Sequence, residues 1–123
     1  MRNYLISILA SGVSLTVAGP ATAQNVGSDV RCMLVSNVFV RVETDVKRKT
    51  LAQATGLYFS GRVTARLSAA QLKDQIIVQA KTITKDNGGP IMTECAKRFQ
   101  EDQRMMQTVA QQIQKANPVP ASK

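Results

Sequence analysis

Two cysteines, Cys32 and Cys95, are the only ones in the chain, and each falls in a stretch of helical pattern. Joined, they would close a loop of about 64 residues and stabilise the fold by about 4 kcal/mol on chain-entropy reckoning. An early helix would then have to lie against a late one. Whether the two join depends on where the chain resides. Met1 to Ala23 has the pattern of a secretory leader. Arg2 precedes an uncharged, mostly apolar run from Tyr4 to Ala18, Gly19-Pro20 breaks it, and Ala21-Thr22-Ala23 forms an A-x-A cleavage site. The run falls short of the roughly 20 apolar residues of a helical membrane span. The expectation is cleavage after Ala23, a periplasmic or secreted chain from Gln24 with no transmembrane segment, and a disulfide formed in an oxidising compartment. Other readings stay open. A redox couple usually places its cysteines as C-x-x-C. A metal site would need carboxylates to complete its four ligands. Two free buried thiols are the third alternative.

What remains after the leader suits one domain with one core, over residues 24–117, with 118–123 as a disordered tail. Three Phe, two Tyr and no Trp leave the core to aliphatic side chains. The formal charge of +8 attracts anions such as membrane headgroups, cell-wall polymers or acidic proteins. The chain has no histidine, and so lacks the commonest general base and metal ligand. Its eight carboxylates show no paired spacing. No catalytic residue, cofactor or metal is expected, and no nucleic-acid recognition motif is present.

The periodicity predicts an all-α fold, a small antiparallel bundle of about four helices. Ser28 or Asp29 is expected to cap a first helix from Val30, with Val30, Met33, Leu34 and Val38 on one face. The run Val38 to Val42 also alternates as a strand would, but no second strand exists to pair with it. Thr44 to Lys49 is expected as a polar connection, followed by a helix from about Thr50 to Arg66, which Gly61 could end early. Ser68-Ala69-Ala70-Gln71 matches a capping box for the third helix. Asp86-Asn87-Gly88-Gly89-Pro90 turns the chain into a fourth, from Pro90 to about Ala116, with Pro90 in its first position. Met92, Cys95, Ala96, Phe99, Met106, Ala110 and Ile113 make its apolar stripe.

Three groups are candidates for binding. Arg62 and Arg66 lie four apart on the side of the second helix that carries Tyr58 and Phe59. Two guanidinium groups beside aromatic rings suit a phosphate, a carboxylate or an acidic loop. The plainer reading has their stems covering core and their heads in water. Lys47-Arg48-Lys49 could dock an anionic surface, or be a solvated charge run. Met92, Met105 and Met106 could form an adaptable face. Their place in the stripe instead assigns Met92 and Met106 to the core, with Met105 pointing elsewhere.

Cys32 near the start of the first helix, together with Pro90-Ile91-Met92-Thr93-Glu94-Cys95, resembles the layout of the small periplasmic acid-stress chaperones of the HdeA family, over roughly Val30 to Lys115. The resemblance implies an exported helical domain, a bridge from an early to a late helix, and binding of clients after acid loosens the fold. Tyr58-Phe59-Ser60-Gly61-Arg62 and the strong basic balance depart from that family. The expected function is therefore non-enzymatic binding by an exported helical protein, of chaperone or stress type. An envelope-associated anion binder, or an inhibitor or immunity-type partner of another exported protein, is the alternative.

Overall fold

A computed structural model describes residues 21–118 and residue 120. The expected leader, apart from Ala21 to Ala23, lies outside the described residues, as does most of the expected tail. Four helices follow one another: α1 (Ala21–Val42), α2 (Val46–Thr64), α3 (Ala69–Ala80) and α4 (Gly88–Ala116). Among the described residues there is no strand, so the alternating run Val38 to Val42 is the last part of α1.

The connections are short and their caps are written in side chains. Asp45 caps α2 by accepting a hydrogen bond from the Arg48 amide at 2.9 Å. Ser68 and Gln71 form the reciprocal capping box of α3, with bonds of 2.9 and 3.3 Å. Between α3 and α4, Thr84 and Asn87 exchange hydrogen bonds of 2.7 and 3.2 Å, and the Asn87 amide group also donates to the Thr82 carbonyl.

Four boundaries differ from those read in the sequence. α1 starts at Ala21, so Ser28 and Asp29 lie inside the helix and cap nothing. α2 starts at Val46, which places Lys47, Arg48 and Lys49 in its first turn rather than in a connection. Basic residues are unfavourable at a helix N-terminus, and this hid the start that Asp45 provides. Gly61 does not end α2; no glycine among the described residues has positive φ, and the helix runs on to Thr64. Pro90 is the third residue of α4, not the first. Prolines need no hydrogen-bond partner anywhere in a first turn.

α1 touches all three other helices, whereas α3 and α4 share no contact among the described residues. α2 runs antiparallel to α1: Gly56 lies against Ser36, and Arg62 against Asp29. A Cβ at Gly56 would stand only 3.1 Å from the Ser36 Cβ, so its absence lets α1 and α2 approach. α4 is also antiparallel to α1, through Met92 against Ser36, Cys95 against Cys32 and Arg98 against Ser28. The disulfide Cys32–Cys95 joins them, with 5.5 Å between the Cα atoms. α3 lies on another side of α1, where Gln75 and Gln79 cover Gly27.

The core is aliphatic with one large ring. Val30, Val35, Phe59 and Val63 are at most 1% exposed, and Met33, Ala52, Met92, Ala96 and the disulfide surround them. α3 contributes only half-buried side chains, among them Leu72 and Ile76. α4 is buried at Met92, Cys95 and Ala96 and then leaves the bundle. Every residue from Gln103 to Ala116 is exposed. Met106 and Ile113, expected in the core, are 64% and 59% exposed. The helical period gives the direction of a stripe, but not how far a neighbour extends along it.

Candidate functional site

Asp29 is the centre of the polar architecture. It sits inside α1 and is fully enclosed, 0% exposed. An unpaired carboxylate would not tolerate such a position, and this one is met by three guanidinium groups. Arg62 Nε donates to Oδ2 at 2.9 Å and Arg66 Nη2 donates to the same oxygen. Arg98 Nη2 donates to Oδ1 at 2.6 Å. One anion on α1 thus gathers two cations from α2 and one from α4. The spacing is helical on each side: Arg62 and Arg66 are four apart on α2, and Arg98 follows Cys95 by one turn on α4.

Each arginine is fixed by further contacts. Arg98 Nη1 donates to Ser28 Oγ at 2.9 Å and reaches Cys32 Sγ at 3.6 Å, and its guanidinium carbon lies 4.9 Å from the Phe59 ring centroid. Arg66 Nε donates to the Arg62 carbonyl at 3.2 Å. Arg62 Nη1 donates to the Tyr58 hydroxyl at 3.2 Å and lies 3.8 Å from Asp102 Oδ2. The Tyr58 hydroxyl in turn donates to Asp102, and its ring packs on Phe59 and Phe99. Three guanidinium groups against two carboxylates leave the cluster one positive charge in excess. The hydrogen bond to Asp29 holds the Arg62 guanidinium above its ordinary value despite partial burial, so it stays charged.

Burial pushes the Tyr58 phenol above its usual value of 10.0, and the bond to Asp102 adds to the rise, against the opposing pull of Arg62. The neutral phenol is the form that donates to Asp102. Its contribution to stability is therefore fully present below pH 10 and is lost as pH climbs through the raised value. Tyr4 and Tyr58 are the only tyrosines. In a Tyr4→Phe chain, phenolate absorbance is expected to titrate above pH 10 in the folded protein, with urea stability falling over the same interval. Titration at or below pH 10 would contradict this geometry.

The structure brings together Tyr58, Arg62 and Arg66, and it joins Cys32 to Cys95. It does not bring Lys47, Arg48 and Lys49 to that cluster. Those sit at the other end of α2, about 22 Å away along the helix axis, with Arg48 bonded to Glu43 at 3.3 Å. The arginines are neither bare anion hooks nor only stems over core, since the first anion they hold is the chain's own. Three members of the cluster escaped the sequence reading: Asp29, taken for a cap, and Arg98 and Asp102. The available signal was that Asp29, Cys32 and Ser36 share one face of α1, the face that must turn toward Cys95.

Two openings border the cluster on its Arg62 side. An open recess of about 270 Å³ is lined by Arg62, Ala65 and Arg66. A second, of about 350 Å³, lies between Tyr58, Arg62 and the part of α4 from Asp102 to Met106. Arg62 borders both. From this point the exposed part of α4 extends outward. Met105, Met106, Val109, Ala110, Ile113 and Ala116 fall within an arc of about 140° at 100° per residue. No charged side chain lies in that arc above Asp102.

No family model, curated protein or solved structure matches the chain. Among the described residues, no helix is long and apolar enough to cross a membrane, and no three His, Cys, Asp or Glu gather as a metal site.

Proposed function

We propose that this is an exported, non-catalytic binding protein whose working surface is the exposed half of α4 together with the arginine cluster at its foot. The leader pattern of Met1 to Ala23 and the disulfide support export. One observation carries the binding reading. The last 14 residues of α4, Gln103 to Ala116, are exposed throughout, yet they keep an uncharged apolar arc that none of the described residues covers. A helix of that length is marginal in water on its own, and an apolar arc adds nothing to solubility. Its side chains have a use only against a partner. Methionines at 105 and 106 make the arc adaptable, in keeping with a chaperone-like binder of apolar surfaces.

The test uses Nile red, a neutral dye, and the aggregation of reduced insulin. The disulfide-intact protein is expected to bind the dye and delay aggregation. Met106→Gln with Ile113→Gln should weaken both at least roughly threefold, since each exposed side chain loses most of a transfer energy of about 1.5–3 kcal/mol. Helix content should not change, because neither side chain is in the core. Equal dye binding by the parent and the double variant would remove this reading.

A further inference from the structure

The nature of the partner follows from charge and shape on that surface, and the inference rests on the reading just given. From Gln103 to the end of the chain there is no Asp or Glu, and the basic Arg104 and Lys115 lie on the side of α4 away from the arc. At the foot of the arc the cluster carries one positive charge in excess. Asp29 accepts from Arg62 Nε and Arg66 Nη2, and both side chains line the recess beside Ala65. Among the described residues, Arg62 Nη2 and Arg66 Nη1 make no hydrogen bond. Because a buried carboxylate fixes both side chains, a ligand at those two nitrogens would meet donors already in place. Two guanidinium nitrogens, one from each arginine, suit the two free oxygens of a phosphodiester.

The apolar arc begins at Met105 and Met106, beside the second recess that Arg62 also lines. Cationic donors and apolar side chains therefore follow one another along a single ridge. A second copy of the chain is disfavoured as occupant, because it would set two basic arms and two positive clusters together in a chain of net charge +8. A folded protein partner is also disfavoured, since the arc carries no charge and the one carboxylate at its foot, Asp102, is already held by Tyr58 and Arg62, which leaves no mixed pattern to fix a register. A single lipid molecule is disfavoured by shape, as a convex helix cannot enclose an acyl chain. We infer that the exposed half of α4, with Arg62 and Arg66 at its base, docks on the surface of an anionic phospholipid bilayer. The apolar arc enters the interface, and the free arginine nitrogens meet phosphodiester headgroups.

The chain has no Trp, so Val109→Trp places one reporter in the arc, independent of the leader. With phosphatidylglycerol vesicles at about 0.05 M salt, its emission should shift to the blue and be quenched by brominated acyl chains. Both signals should be lost at about 0.5 M salt, where screening is nearly complete. Phosphatidylcholine vesicles should bind at least roughly tenfold more weakly. In the reporter background, Arg66→Gln should weaken binding at least threefold. Because Arg66 also holds Asp29, Met106→Glu with Ile113→Glu, both exposed, provides a variant whose fold is untouched, and it should abolish the shift. Three results would overturn the inference: no shift with either lipid, equal shifts with both, or a shift with soluble short-chain phosphatidylglycerol but none with vesicles. If the vesicles fail while Nile red binding still responds to Met106 and Ile113, the apolar surface stands and its partner is something else. If the dye fails too, both readings fall.

Discussion

Asp29→Asn is expected to cost about 3 kcal/mol of stability. Removing one partner of a buried ion pair typically costs 3–5 kcal/mol. The lower end applies because Arg62, Arg66 and Arg98 keep 36, 30 and 26% of their side-chain exposure, and so part of their water. The asparagine preserves shape and one acceptor, but it leaves three guanidinium groups gathered around a neutral amide. For a domain of this size, total stability is about 5–15 kcal/mol, and the melting temperature should fall on the order of 10–25 °C. Arg62→Gln alone should cost less, since Asp29 retains two cations. Urea unfolding of both variants checks the ranking. A loss under about 1 kcal/mol for Asp29→Asn would mean that the cluster does not hold the helices together.

The second large effect is the loss of the staple. Cys32 and Cys95 are 63 residues apart in sequence, and the loop-closure relation gives about 4 kcal/mol for such a ring. Cys32→Ala with Cys95→Ala should therefore rival Asp29→Asn in magnitude. The two changes should not add. Arg98 touches both Cys32 Sγ and Asp29, and sites that share a partner couple by roughly 0.5–3 kcal/mol. Once the staple is gone α4 is held more loosely, and less remains for Asp29→Asn to remove. Each of the two cysteines is only 2% exposed, so reductant should act on the unfolded chain and not on the native one. The check is urea unfolding with and without reductant, for the parent and the double variant. Identical midpoints would show that the bridge contributes nothing.

The fold was open to reading from the sequence where a local rule fixed the outcome. Ser68 to Gln71 specify their capping box without help from distant residues. The apolar stripe of α4 locates Met92, Cys95 and Ala96 correctly, because all three lie on the face that meets α1. The same stripe misplaces Met106 and Ile113, since the length of a neighbouring helix is a tertiary quantity. Asp29 shows the other kind of failure. A Ser-Asp pair before an apolar run is a good capping signal. Its true role depends on Arg62, Arg66 and Arg98, which arrive from far along the chain. Tyr58, Arg62 and Arg66 were legible as a group because they lie one turn apart on one helix. Lys47 to Lys49 were legible only as charge, and the fold sets them at the opposite end of α2.

The central position of α1 bears on the order in which the chain can be assembled. Synthesis proceeds from the amino end, so α1, α2 and α3 are complete before Cys95 exists. The α1–α2 hairpin is local and quick to form, and it already supplies Asp29 with Arg62 and Arg66. α4 then arrives at a platform that is built and still lacks one cation and one thiol. It delivers both from a single face, Cys95 and Arg98, one turn apart. Cys32 must wait, unpaired, through the making of most of the protein. The covalent bond is thus a seal on the final step of assembly, and an oxidised chain is one in which α4 has already found its place.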